Sequence, residues 1–323
     1  MISEYHLRGW LRIPEVEIVA LGNRTLARAE QRRREFVPSA RTYSDLAEML
    51  DAERPDFVDI LTAPAVHREH CRIARERGVH IICQKPLTDS LGDAQALAAE
   101  MAGYPMLFAV HENHRYRPWF RIIRERMQQG FFGKVHMVRL EHLSAGEPGE
   151  AYKNEADLGV LWEHGTHLVD MMRCLLGEPL RVYARMHRLN PRVRGESLVH
   201  ALYEYPEVTA IVAVAWKPAA ITQASALVAG GEGKAYWEGT ITRGQQRRLR
   251  LSRGSQVILD EARSPMDEYV ESFYLLEREC TDFMLGRRNC VQQTVEEHLR
   301  TLTCAWAAYE SARRRDWVSI DSM

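Results

Sequence analysis

The sequence predicts an α/β protein of two domains: a parallel sheet interleaved with helices, then an α+β domain built on a large open, mainly antiparallel sheet. Three observations carry this reading. The chain has 323 residues, more than one ordinary core organises. Over its first third, short apolar runs alternate with helical periodicity, which implies a parallel sheet covered on both faces. Beyond about residue 130 the pattern becomes strand after strand, which suits one antiparallel sheet with a helix against it.

In the first domain, 1–112, residues 17–21 (EIVAL) read as a strand, and Thr25 opens a helix to about 36. Residues 57–61 (FVDIL) form the next strand, followed by a helix over 66–77 that Gly78 ends as a C-cap glycine. A strand at 79–83 (VHIIC), a helix over 90–102 and a strand at 106–110 (MLFAV) complete the alternation. The second domain, 113–323, has a turn at 130–133, a strand at 135–142 and a helix over 160–176. Strands follow near 182–189, 198–205, 209–216, 224–229, 234–238 and 247–252, and helices at 268–285 and 294–314 close the chain. Internal repeats, low-complexity tracts and long linkers are absent from the sequence.

Composition narrows the function class. The net charge of -1 gives no electrostatic footprint for nucleic acid. The arginine runs 32–34 and 313–315 fall in helical patterns with acidic neighbours and read as solvated faces. The first ten residues lack the apolar core of a signal peptide. No run approaches the roughly 20 apolar residues of a membrane span, and the best candidate, 210–216, suits a buried strand. Six cysteines include no Cys-x-x-Cys pair and no cluster, so they read as reduced thiols of a cytoplasmic protein. A small molecule, rather than a nucleic acid or a membrane, is the expected partner.

Four constellations carry chemistry. Cys83-Gln84-Lys85-Pro86 lies at the C-terminal end of a parallel strand, where ligands of open α/β sheets bind. A lysine there can hydrogen-bond a substrate hydroxyl and stabilise charge on its oxygen; alone, it reads equally as a solvated lysine before a turn proline. In Glu163-His164-Gly165-Thr166-His167-Leu168-Val169-Asp170, Glu163 and His167 stand four apart, so on a helix they share a face. A histidine can take a hydroxyl proton as hydride leaves the same carbon, with a carboxylate to orient it. The same cluster contains metal-ligand types, but His164 and His167 lack the His-Glu-x-x-His spacing, and no metal is expected. Past the next strand end comes a polar stretch, His111-Glu112-Asn113-His114-Arg115-Tyr116-Arg117-Pro118. After the strand at 17–21 stands Asn23-Arg24. An acid at such a point reads the 2′-hydroxyl of NAD, whereas arginine accommodates the 2′-phosphate of NADP. Arg24 with no acid beside it leans towards NADP.

In this order the four pieces resemble the glucose-fructose oxidoreductase / inositol dehydrogenase (Gfo/Idh/MocA) family. Its Thr-x-Pro-x-x-His, Gly-x-x-Val and Glu-Lys-Pro segment is similar to Thr62-Ala63-Pro64-Ala65-Val66-His67, then Gly78-Val79, then Gln84-Lys85-Pro86. Its Asn-x-Arg-[Phe/Tyr]-x-Pro resembles Asn113 to Pro118, and its Asp-x-Gly-x-His-x-x-Asp resembles Glu163 to Asp170. Ala308-Tyr309-Glu310-Ser311-Ala312 resembles the family's last helix. The resemblance implies a Rossmann-like domain binding NAD or NADP, joined to a domain that holds substrate and mediates homodimer or homotetramer contacts. It further implies hydride transfer to or from a sugar, cyclitol or related polyol. Carried over, Lys85 is the catalytic lysine, His167 the acid/base, and Glu163 stands where the family has aspartate. Ser3, Asn23, Arg24, Thr62, Pro64, His67, Gln84, Lys85 and Asn113 fall to the cofactor, and Arg115, Tyr116 and Asp170 to substrate, with Tyr152 and Lys217 as further candidates. Gln84 departs from the family's glutamate.

Two other readings stand beside this one. A non-catalytic member of the fold would bind a nucleotide or sugar as a sensor; keeping both Lys85 and His167 argues for the enzyme. A metal-dependent lyase or isomerase rests only on the cluster near 163. A complete domain of this type opens with a strand and Gly-x-Gly, and Met1 aligns just after that motif, with Ser3 at the third small position. The expectation is therefore a first strand missing from the recorded chain. Without it the strands at 17–21 and 57–61 would carry unpaired backbone groups or close upon each other.

Overall fold

The computed structural model describes residues 2–144, 151–216, 222–239 and 247–322. Lys217 lies outside them. The chain forms two compact units, Met1–Glu112 with Phe273–His298, and Asn113–Ser272 with Leu299–Met323.

The first unit opens with helix α1 (Ile2–Trp10), then β1 (Ala20–Gly22), α2 (Leu26–Phe36), β2 (Arg41–Tyr43) and α3 (Leu46–Glu53). The alternation continues through β3 (Phe57–Ile60), α4 (His67–Glu76), β4 (His80–Gln84), α5 (Leu91–Glu100) and β5 (Phe108–His111). Strands β3, β4 and β5 pair in parallel, with Ile60 beside Cys83 and Cys83 beside Val110. Ile81, Ile82 and Cys83 are wholly buried, as an apolar strand covered on both faces requires. β1 and β2 pair in parallel as a separate sheet. The segments expected at 17–21 and 57–61 have therefore not closed upon each other. Gly78 takes φ +67 after α4, the left-handed C-cap that its sequence position predicts.

Two elements here escape the sequence reading. β2 has three residues, too few for a periodicity. α3 is announced by Asp45, whose side chain accepts the Glu48 N–H at 2.8 Å, an Asp-x-x-Glu start of the capping-box kind.

The second unit contains α6 (Pro118–Gln128), β6 (Val135–Ser144), α7 (Ala151–Glu155) and α8 (Thr166–Leu176). Then come β7 (Arg181–His187), β8 (Leu198–Glu204), β9 (Thr209–Trp216), β10 (Gln223–Gly230), β11 (Gly233–Gly239), β12 (Arg247–Arg253) and β13 (Gln256–Arg263). Helices α9 (Pro265–Met284) and α10 (Val295–Arg314) and strand β14 (Val318–Ser319) end the chain. Among the described residues nine strands make one sheet, ordered β13-β12-β11-β10-β6-β9-β8-β7-β14. Every neighbouring pair is antiparallel except β6 with β9. The expected helix over 160–176 begins as a π-helical turn, Leu161–Gly165, before α8. A Cβ on Gly165 would sit 2.5 Å from Leu161 Cδ1 and 3.2 Å from Val214 Cγ1, so glycine lets this turn lie against β9.

The sequence reading assigns all of 113–323 to the second domain. By packing, Phe273–His298 clusters with the first unit instead. There the Val110 N–H donates to the Gln293 carbonyl at 2.9 Å, and Ala109 bridges Thr294. Among the described residues no helix is long and apolar enough to cross a membrane, and all six cysteines are free thiols.

Candidate active site

The first unit carries its candidate residues on and beside strand-end loops. β4 delivers Gln84 buried and Lys85 half-buried, and the Lys85–Pro86 peptide is cis. Gln84 Oε1 accepts the Lys85 backbone N–H at 2.7 Å, and Gln84 Nε2 lies 2.9 Å from His6 Nε2. His6 Nδ1 in turn lies 2.8 Å from Asp59 Oδ2, which also accepts the Trp10 indole N–H at 2.8 Å. Thr62 is exposed after β3, its hydroxyl 3.1 Å from His70 Nδ1. Buried Pro64 opens a 3₁₀ turn that leads into α4. Ser3 is half-buried in the first turn of α1. Past β1, Asn23 and Arg24 are exposed, and Asn23 Oδ1 accepts the Thr25 N–H at 2.9 Å.

His67 has no exposed surface and lies between the loops after β3 and β4. Nε2 is 2.9 Å from the Thr62 carbonyl and Nδ1 3.1 Å from the Leu87 carbonyl. Burial pushes its pKa down, while the carbonyls of Thr62 and Leu87 pull the other way; a neutral ring has one N–H and donates to only one of the two.

Beneath β5 lies a cluster that the sequence reading did not assemble, because its members are far apart in the chain. The His6 and His111 rings are 4.1 Å apart. Glu277 Oε1 is 3.6 Å from His6 Nδ1 and 3.7 Å from His111 Nε2. Among the described residues, neither nitrogen of His111 nor either oxygen of Glu277 has a hydrogen-bond partner. Burial drives the His111 pKa well down, with His6 adding to the effect. It drives that of Glu277 well up, with Asp59 adding to the effect. Burial thus favours the uncharged form of each group. A Cβ on Gly9 would fall 2.0 Å from Glu277 Oε2, so glycine in α1 makes room for this carboxyl. The three side chains are close enough to share a cation. Both His6 nitrogens already face Gln84 and Asp59, so an ion would have to displace one of those bonds.

In the second unit Asn113 and the 3₁₀ turn His114–Tyr116 are buried. Asn113 Nδ2 donates to Ser272 Oγ at 2.7 Å. Arg115 and Asp170 hold each other: Nε donates to Oδ2 at 2.9 Å and Nη2 to Oδ1 at 2.5 Å. His167 lies in the first turn of α8 with its ring stacked on His114, centroids 3.6 Å apart and planes 18° apart. Glu163, in the π-helical turn, meets Lys153 Nζ of α7 at 2.8 Å. His164 Nδ1 accepts the Trp216 indole N–H at 2.7 Å. A pocket lined by His114, Arg117, Trp119, Glu141 and Leu168 opens beside the imidazole stack. Neither Lys153 nor the stacking role of His114 announces itself in the sequence, since each depends on tertiary contact.

Residues 1–111 match the model of an oxidoreductase family with an NAD-binding Rossmann fold, and residues 120–236 match the GFO/IDH/MocA C-terminal domain. The chain belongs to the GFO/IDH/MocA family. It is similar to D-apiose dehydrogenase from Paraburkholderia graminis, 34% identical over 215 residues, which is 65% of this chain and 56% of that protein. The chain thus spans little more than half of that relative's length. A D-apiose dehydrogenase from Rhizobium rhizogenes is 29% identical over 297 residues, 88% of this chain and 84% of that protein. An oxidoreductase from Agrobacterium radiobacter, solved in complex with NAD+, L-tartaric acid and magnesium, superposes with a TM-score of 0.85 at 25% identity. That match covers 100% of this chain and 96% of the solved one.

Proposed function

We propose that this chain is an NAD(P)-dependent dehydrogenase or reductase acting on a CH–OH group of a sugar, cyclitol or related polyol. The observation that carries it is Lys85, the half-buried residue between buried Gln84 and Pro86 at the C-terminal end of β4, where parallel sheets bind ligands. The relatives support the substrate class: two are D-apiose dehydrogenases, and the solved neighbour was captured with a dinucleotide and a hydroxy acid.

The loops after β1, β3 and β4 suit a dinucleotide. They offer an exposed Thr62, an exposed Asn23-Arg24 and, at Ser3, the first turn of a helix, the end that favours phosphate. Bound there, the nicotinamide supplies the hydride acceptor or donor. Lys85 donates a hydrogen bond to the substrate oxygen and stabilises the charge that develops on it. His167 takes the hydroxyl proton in the oxidative direction and returns it in the reductive one. Glu163, in the turn before it, brings a carboxylate already paired with Lys153. Arg115 and Asp170 hold the loop beginning at Asn113 rather than bind substrate, and Tyr116, buried in that loop, packs with it. Arg24 accepts the 2′-phosphate, so NADP serves at least as well as NAD. The chain works as a homodimer or homotetramer in the cytoplasm.

The test is turnover of a panel of polyols and keto-sugars, D-apiose included, with NAD and with NADP. Lys85→Ala and His167→Ala should each lower kcat by about 10²–10⁴-fold while the circular dichroism spectrum stays native. Near-wild-type turnover in both variants would reject the roles of Lys85 and His167. Dinucleotide binding without turnover on any substrate would favour the binding-protein reading.

A further inference from the structure

We propose that Gln84 is the positioning residue for Lys85, acting through a hydrogen-bonded chain that runs from the Lys85 backbone through His6 to Asp59. The proposal rests on the reading of Lys85 as the substrate-facing lysine.

The proton inventory follows from the amide. Gln84 Oε1 is committed to the Lys85 N–H at 2.7 Å. The Gln84 end that meets His6 Nε2 at 2.9 Å is therefore the –NH2, which only donates. Nε2 of His6 must then carry its lone pair, and the ring proton sits on Nδ1. There it donates to Asp59 Oδ2 at 2.8 Å, whose second donor is the Trp10 indole at 2.8 Å. Each link pairs one donor with one acceptor, and no link needs a charge on the imidazole.

The surroundings explain why an amide stands where the family's motif has glutamate. A carboxylate would accept the Lys85 N–H equally well. It would then turn an acceptor towards His6 Nε2, and two acceptors would face each other at hydrogen-bond distance unless the ring took a second proton. The ring has 1% exposure and is enclosed by His111, Phe273 and Glu277. Of these, burial disfavours the charged forms of His111 and Glu277. A cation and an added carboxylate in this setting carry a desolvation cost that the neutral amide avoids. What Gln84 secures is geometry. It fixes the backbone from which the Lys85 side chain projects, and a displacement of about 1 Å at a reacting group costs on the order of 10²-fold in rate.

The test pairs kinetics with histidine NMR. Long-range 1H–15N spectra of the wild-type protein, with His6 assigned by its loss in His6→Gln, should show His6 as the Nδ1–H tautomer. Gln84→Leu removes both of its hydrogen bonds and should lower kcat by about 10²-fold while KM for the dinucleotide holds. Gln84→Glu keeps the bond to the Lys85 N–H, so it should lose less activity while changing the His6 spectrum. An Nε2–H tautomer in the wild type would overturn the chain. Wild-type kcat in Gln84→Leu, with Lys85→Ala inactive, would overturn the positioning role. If Lys85→Ala is itself fully active, the reading of Lys85 has failed, and the tautomer still judges the hydrogen-bonded chain.

Discussion

Arg115 and Asp170 in the second unit are 6% and 0% exposed, and His111 and Glu277 in the first have no exposure at all, yet the two pairs deal with burial differently. Arginine cannot surrender its proton in a protein, so its charge is answered by a bidentate carboxylate. Histidine and glutamate can each adopt a neutral form. Their facing atoms stay 3.7 Å apart without a hydrogen bond, and burial moves both pKa values towards neutrality. A buried polar group is thus handled by a partner where its charge is permanent and by titration where it is not. The exposed pair Arg181–Glu204 gives the third point. Its bidentate geometry, 3.0 and 2.9 Å, is similar to that of Arg115–Asp170, but it lies in solvent.

The largest effect should come from Asp170→Asn, which leaves a buried guanidinium without its counter-charge. Removing one partner of such a pair typically costs about 3–5 kcal/mol, and urea denaturation measures it. A loss well under that range would mean that water reaches Arg115, and the contrast would fail.

Glu277→Gln should act more gently and with a pH signature. The folded pKa of Glu277 is raised, so the fold favours the protonated acid. Stability tied to this group is present below the ordinary carboxylate value of 4.5 and declines as pH rises above it. The amide does not titrate, so the Tm of the variant relative to wild type should climb between pH 5 and pH 8, by a few degrees. A difference that stays flat with pH would show that Glu277 ionises freely.

The smallest effect belongs to Glu204→Gln. Solvent screens Arg181–Glu204 whatever its geometry, and the denaturant midpoint should not move measurably. A loss approaching that of Asp170→Asn would show that geometry, not burial, sets the strength of these pairs.

The sequence makes some of this legible and not the rest, for physical reasons. β3, β4 and β5 are short, largely apolar runs bounded by helices, so the local pattern reveals them. Lys85 is visible because a strand end followed by proline is a local pattern. His6, Asp59 and Gln84 are not visible as a group: their hydrogen bonds join residues 53 and 78 positions apart, and no local rule encodes that. His67 looks like a ligand contact because it follows Thr62 and Pro64 at a helix start, yet the fold turns it inwards onto two carbonyls. The reach of the first unit to 273–298 was hidden because a helical pattern reports amphipathicity and not which sheet it covers.

That reach has a consequence for synthesis. The first unit is made of the chain's opening segment and of one that follows most of the second unit. As the polypeptide leaves the ribosome, residues 1–112 emerge with His6 and His111 still lacking Phe273 and Glu277, and β5 without its contact at Gln293 and Thr294. Domains of a growing chain generally fold in order from the N-terminus, but this one finishes late. The first unit waits on a helix translated after nearly all of the second, and a nascent chain halted between the two would hold an open core for a chaperone to cover.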